Sequence, residues 1–98
     1  MIPAFRISRR AAAVIDAIWD YTASRWSVEQ AEAYVRAIQA AIYDLASGKA
    51  AGAAFPMLKR DYARYLIGSH VIFYRRGPAA RLEIVRILHQ SMDFGRHL

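Results

Sequence analysis

The segment YARYLIGSHVIFYRRGPAARLEIVRIL, residues 62–88, decides how this chain folds. It holds three β-branched and aromatic runs, residues 62–67, 71–75 and 82–88, divided by Gly68-Ser69 and by Gly77-Pro78. Such side chains pack well on a pleated surface, and Gly and Pro punctuate them, so the segment predicts a three-stranded antiparallel meander. In Val71-Ile72-Phe73-Tyr74 and Ile84-Val85-Arg86-Ile87-Leu88 apolar side chains point to both faces, whereas a sheet with one wet face alternates apolar and polar. Both faces therefore need a cover.

Upstream the period changes to that of helices. Ser27-Val28-Glu29-Gln30 has the Ser-x-x-Gln form of a capping box, and Ala31, Val35, Ile38, Ile42 and Leu45 form the apolar stripe of the helix it opens. Glu32 and Arg36 can pair on its wet side, and Gly48 stops it. Before it, Ser8 is a good N-cap for a helix over residues 9–25, with Ala11, Val14, Ile15, Ile18, Trp19 and Thr22 on one face. The short join makes the two helices an antiparallel hairpin. Residues 2–7 alternate Phe5 and Ile7 with Arg6, and Pro3 suits the start of an edge strand. Residues 49–56, rich in Ala and Gly, read as a connector closing on Phe55-Pro56, and residues 89–98 as a polar tail. The hairpin covers one face of the sheet. No further element is long enough for the other, so a protein partner is expected there.

A chain of 98 residues forms a single domain, 1–98, and 56% hydrophobic with 22% charged residues suffices for a compact core. Fourteen Lys and Arg, mostly Arg, against eight Asp and Glu give a net charge of +6, which favours an acidic partner. With no cysteine there is no disulfide, thiolate metal site or Cys nucleophile. The absence of a long apolar run leads us to expect a soluble cytoplasmic protein with no membrane contact.

Catalytic motifs are missing: there is no GxSxG elbow, phosphate-binding glycine loop or dinucleotide turn, so no cofactor is expected. His70, His89 and His97 lack metal-ligand spacing, so no metal site is expected either. His89 and Asp93, four apart, can be read as an acid/base pair, but the stronger reading has Asp93 capping a last turn and His89 anchoring a strand end by hydrogen bonds. Trp19, Trp26, Tyr34 and Tyr43 are read first as core, with confidence placed on the two tryptophans. Arg9 and Arg10 open a helix whose macrodipole disfavours cations, which suits a partner's acidic group.

Five stretches carry a resemblance: Val14-Ile15-Asp16-Ala17-Ile18-Trp19-Asp20-Tyr21; Gln30-Ala31-Glu32 with Tyr34; His70-Val71-Ile72-Phe73-Tyr74-Arg75; Ile84 to Asp93; and Arg96-His97-Leu98. Over nearly the whole chain they resemble ParE toxins of the RelE/ParE superfamily. The resemblance implies an α+β fold: an N-terminal strand, an antiparallel helical hairpin, then a three-stranded antiparallel sheet. It implies the toxin half of a type II toxin–antitoxin system, held in a hetero-oligomer by a ParD-like antitoxin whose own N-terminal domain binds operator DNA. The toxin would thus meet DNA only indirectly through its partner.

ParE toxins poison DNA gyrase, whereas RelE relatives are ribosome-dependent mRNA endonucleases. The approximate counterparts of the RelE catalytic groups are here Leu66, Gln90 or Ser91, and His97 or Leu98. Leu66 offers no charge and the tail has no Tyr, so gyrase inhibition without catalytic residues ranks first and RelE-like cleavage second. His89, Arg96, His97 and Leu98 are the expected target contacts. Arg9, Arg10, Tyr65, Phe73, Arg75 and Arg86 are the expected antitoxin contacts. The sequence departs from the family in its Ala-rich residues 49–56 and in Gln90-Ser91, where many relatives carry a further Arg.

Overall fold

Ser8 and Ser27 open the two helices, as their flanking sequences predict. A computed structural model of the chain describes residues 5–57, 60–92 and 94–96. In order these form β1 (Phe5–Ile7), α1 (Arg9–Arg25), α2 (Val28–Ser47), β2 (Ala53–Met57), β3 (Arg60–Ile67), β4 (His70–Arg76) and β5 (Leu82–His89), with short 3-10 turns at Pro78–Ala80 and Phe94–Arg96. The Ser8 hydroxyl accepts from the Ala11 N–H at 3.0 Å and donates to the Val85 carbonyl at 2.7 Å, so the cap of α1 is also pinned to β5. The Gln30 N–H donates to the Ser27 hydroxyl at 3.0 Å, and Gly48, at φ 85°, ends α2 in the left-handed conformation that glycine adopts without steric cost. Glu32 and Arg36 pair at 3.7 Å on the exposed side of α2.

The five strands form one mixed sheet in the order β1-β5-β4-β3-β2, with β1 parallel to β5 and the other pairs antiparallel. Five strands replace the expected four, because the supposed connector contributes β2. Nothing in Ala53-Ala54-Phe55-Pro56 favours a strand locally; pairing with β3 decides it. Pro56 is tolerated because β2 is an edge. Gly52 admits the chain to that edge: its N–H donates to the Tyr74 hydroxyl at 2.6 Å, and a Cβ there would collide with the Arg64 carbonyl.

A β-bulge explains the apolar run of β5. Tyr74 faces Ile84 and Phe73 faces Arg86, so Val85 is the extra residue in the register. Ile84 and Ile87 thereby share one face although three apart. That face packs Ile72, Tyr74, Ile84 and Ile87 against Ile18, Ile38, Ile42 and Leu45 of the hairpin. Burial of each such aliphatic side chain contributes roughly 1.5–3 kcal/mol.

The opposite, outer face is where a partner was expected to supply all the cover. The chain itself covers part of it. Phe73 is fully buried with Val71 and Leu88 beneath Phe55 of β2 and Phe94 of the C-terminal turn. The three rings meet edge to face at 5.4 Å (Phe55 to Phe73), 5.0 Å (Phe73 to Phe94) and 6.1 Å (Phe55 to Phe94). A second expectation fails outright: Trp26 is 66% exposed, because it ends α1 at the hairpin turn, where no element lies over it. Trp19 is half-buried.

Candidate protein-interaction surfaces

Strand register places arginines together on the outer face. Arg6 and Arg75 both lie opposite Glu83, and Arg86 lies opposite Phe73. The Arg75 Nε donates to Glu83 Oε1 at 2.8 Å. Arg6, Arg75 and Glu83, with Ser8, Tyr62, Ile84 and Val85, line a furrow of about 290 Å³. On β3, Arg64 stacks over the Phe55 ring at 5.3 Å, adding charge at the far side of the aromatic cluster. Burial, and next the nearby charge of Arg10, hold Arg86 below the usual guanidinium range. Arg10 and Arg86 thus both add to the positive potential at this edge of the sheet.

The predicted antitoxin contacts divide between faces. Arg9 and Arg10 are exposed at the start of α1, Arg75 is exposed on β4, and Arg86 is half-buried on β5. Phe73 offers no surface, for its burial is complete and its cover is Phe55 and Phe94. Tyr65 belongs to the inner face, half-buried against the hairpin core, on the other side of the sheet from these arginines. Sequence reading missed Arg6 and Arg64, since only strand pairing puts them beside the others.

A second surface lies where the hairpin meets the strand ends. It is a groove of about 650 Å³ whose walls include Ile18, Tyr21, Trp26, Tyr34, His70, His89 and Met92. Tyr21 and Trp26 are largely exposed along it. Tyr34, read as core, packs half-buried against it and also reaches from α2 to the β3–β4 turn. Its hydroxyl takes the Ser69 N–H at 3.0 Å, lies 2.8 Å from His70 Nδ1 and donates to the Ile67 carbonyl at 3.3 Å. Gly68, at φ 57°, lets the turn lie flat on the Tyr34 ring, where a Cβ would stand 2.6 Å from the ring carbon and hydroxyl.

His89 faces His70 across the sheet, with the ring centres 5.3 Å apart. Its Nδ1 lies 2.7 Å from the Ser91 hydroxyl and accepts the Ser91 N–H at 3.1 Å, the strand-end anchoring expected of it. Burial, and next the charge of His89, lower the His70 pKa below its ordinary value. Arg96 is exposed in the C-terminal turn, while Asp93, His97 and Leu98 lie outside the described residues. Leu66, the counterpart of a RelE charge, is 60% exposed on the outer face. No cluster of three or more metal-ligating side chains occurs among the described residues, and no helix there is long and apolar enough to cross a membrane.

A sheet backed by a helical hairpin, with an arginine-lined outer face and an aromatic groove at its end, defines a small protein-binding domain. The family described as the ParE toxin of the type II toxin–antitoxin system parDE matches residues 5–94, and the chain belongs to that family. Toxin ParE1 of Caulobacter vibrioides is 48% identical over 94 residues, covering 96% of each chain. Toxin ParE1 of Mycobacterium tuberculosis is 39% identical over the same length and coverage. Among solved structures, the chromosomal ParDE toxin–antitoxin system from P. aeruginosa superposes with a TM-score of 0.72 at 22% identity, covering 90% of this chain and 96% of that one, a likeness of fold. The chain is a ParE toxin of a ParDE-type system.

Proposed function

We propose that this toxin inhibits DNA gyrase and is silenced by a ParD-like antitoxin whose acidic side chains lie along the outer sheet face. The observation that carries the antitoxin assignment is the gathering of Arg6, Arg10, Arg75 and Arg86 on or beside that face, where Glu83 is the carboxylate that meets Arg75. Electrostatic complementarity of this kind speeds encounter and fixes register. The curated relatives named Toxin ParE1 at 48% and 39% identity support the toxin role. Support for gyrase as the target comes from the resemblance to ParE toxins and from the uncharged Leu66 at a position where RelE relatives place a catalytic charge. The residues left to meet the target are His89, Arg96, His97 and Leu98, and binding there would poison the enzyme without any bond being made or broken by the toxin. The complex sits in the cytoplasm and reaches operator DNA through the antitoxin.

The test is a supercoiling assay with purified gyrase beside an mRNA cleavage assay on translating ribosomes. Lost supercoiling or accumulated cleaved DNA, with intact mRNA, is the expected result. Intact gyrase activity with cut mRNA would replace this reading with a RelE-like endonuclease. For the antitoxin, charge reversal at Arg75 and Arg86 should slow association and weaken its salt dependence.

A further inference from the structure

We propose that His70 and His89 form a binding site for one zinc(II) ion, held by their Nε2 atoms at the mouth of the aromatic groove. The sequence spacing of 19 residues hides this pair; strand register makes them direct neighbours across β4 and β5. With metal–nitrogen bonds of about 2.0–2.1 Å and tetrahedral angles, two imidazoles sharing one zinc ion place their ring centres roughly 5 Å apart. His70 and His89 stand at 5.3 Å with planes nearly perpendicular, at 88°.

Each ring is held by its other nitrogen, the outer support that metal-binding histidines use to fix orientation. For His70 the outer partner is the Tyr34 hydroxyl, 2.8 Å from Nδ1. Tyr34 accepts the Ser69 N–H and can give its own proton to the Ile67 carbonyl; in that arrangement His70 carries its proton on Nδ1 and presents the Nε2 lone pair to the metal. His89 is held at Nδ1 by Ser91, whose hydroxyl at 2.7 Å serves either tautomer because it both donates and accepts. Zinc binding at Nε2 moves the His89 proton to Nδ1 and gives up the weaker bond from the Ser91 N–H at 3.1 Å. Among the described residues lining the groove, none is a carboxylate or a cation other than these histidines. Two protein nitrogens leave two tetrahedral positions to water, so binding is weaker than at a structural zinc site with four protein ligands.

The experiment is calorimetric titration of the full, tag-free chain with zinc chloride at neutral pH, with imidazole nitrogen NMR spectra recorded alongside. Expected are one ion per chain, a shift of the His70 and His89 Nε2 resonances, and a raised melting temperature. His70→Gln and His89→Gln should each weaken binding by about ten-fold or more, and His97→Gln should leave it unchanged. Melting curves without metal show whether each variant folds; the spectra of the unaltered chain decide the matter if one does not. No saturable binding, binding kept by the double variant, or shifts confined to His97 would overturn the proposal and leave the pair as edge-to-face packing alone.

Discussion

Single side chains tie this fold together at points far apart in sequence. Ser8 is the clearest, because one hydroxyl caps α1 and holds the Val85 carbonyl of β5. Ser8→Ala removes both bonds, and urea unfolding should show a loss of about 1–2 kcal/mol, near the upper end for an N-cap. At His70 the expected effect concerns pH. Its folded pKa lies below 6.5, so between that value and 6.5 the unfolded chain binds more protons than the folded one. Stability is therefore full above about pH 6.5 and falls as the pH drops toward the folded pKa, levelling below it. Urea midpoints measured in the presence of a chelator should fall in that window, and His70→Asn, which keeps a donor toward Tyr34, should flatten the slope.

The elements show what sequence reasoning reaches and where it stops. Both helices and their caps were legible because capping and apolar stripes are local signals, carried by Ser8, Ser27, Gly48 and the Ile-rich faces. The meander was legible for the same reason. β2 was not, since Ala53 and Ala54 have no strand preference and only the neighbouring β3 makes them one. The bulge at Val85 was likewise invisible, and with it the grouping of Glu83 and Arg86 on one face. Of the candidate site, exposed Arg75 and the strand-end role of His89 could be read, whereas the arginine face and the histidine pair arise from register alone. Phe73 was misplaced as a contact because an apolar strand residue looks the same in sequence whether a partner or the chain's own Phe94 covers it. The β3–β4 turn gives the prediction at this scale. Gly68→Ala should cost about 1–2 kcal/mol for the left-handed backbone, with more from displacement of Tyr34. In a double-mutant cycle Tyr34→Ala should recover the second portion, which equilibrium unfolding of the four proteins would measure.

For the molecule as a whole, the outer face is stable only with its C-terminal turn in place. Phe94 is half-buried against Phe73 and Phe55, so Phe94→Ala should lower stability by about 1–2 kcal/mol, a part of full aromatic burial, while uncovering Phe73 to a hydrophobic dye. Phe73→Ala removes the centre of that cluster and should cost about 3–5 kcal/mol. A dye signal that stays flat on Phe94→Ala would mean the face closes without the turn. The sheet order has one more consequence. β5 is the last of the described strands, yet it lies between β1 and β4, and among the described residues β1 has no other neighbour in the sheet. A growing chain on the ribosome can form the helical hairpin early but cannot dock β1 or complete the arginine face until β5 has been made. The arginine face is thus the last part of the sheet to close, and no partner can read its pattern of charge before β5 has paired.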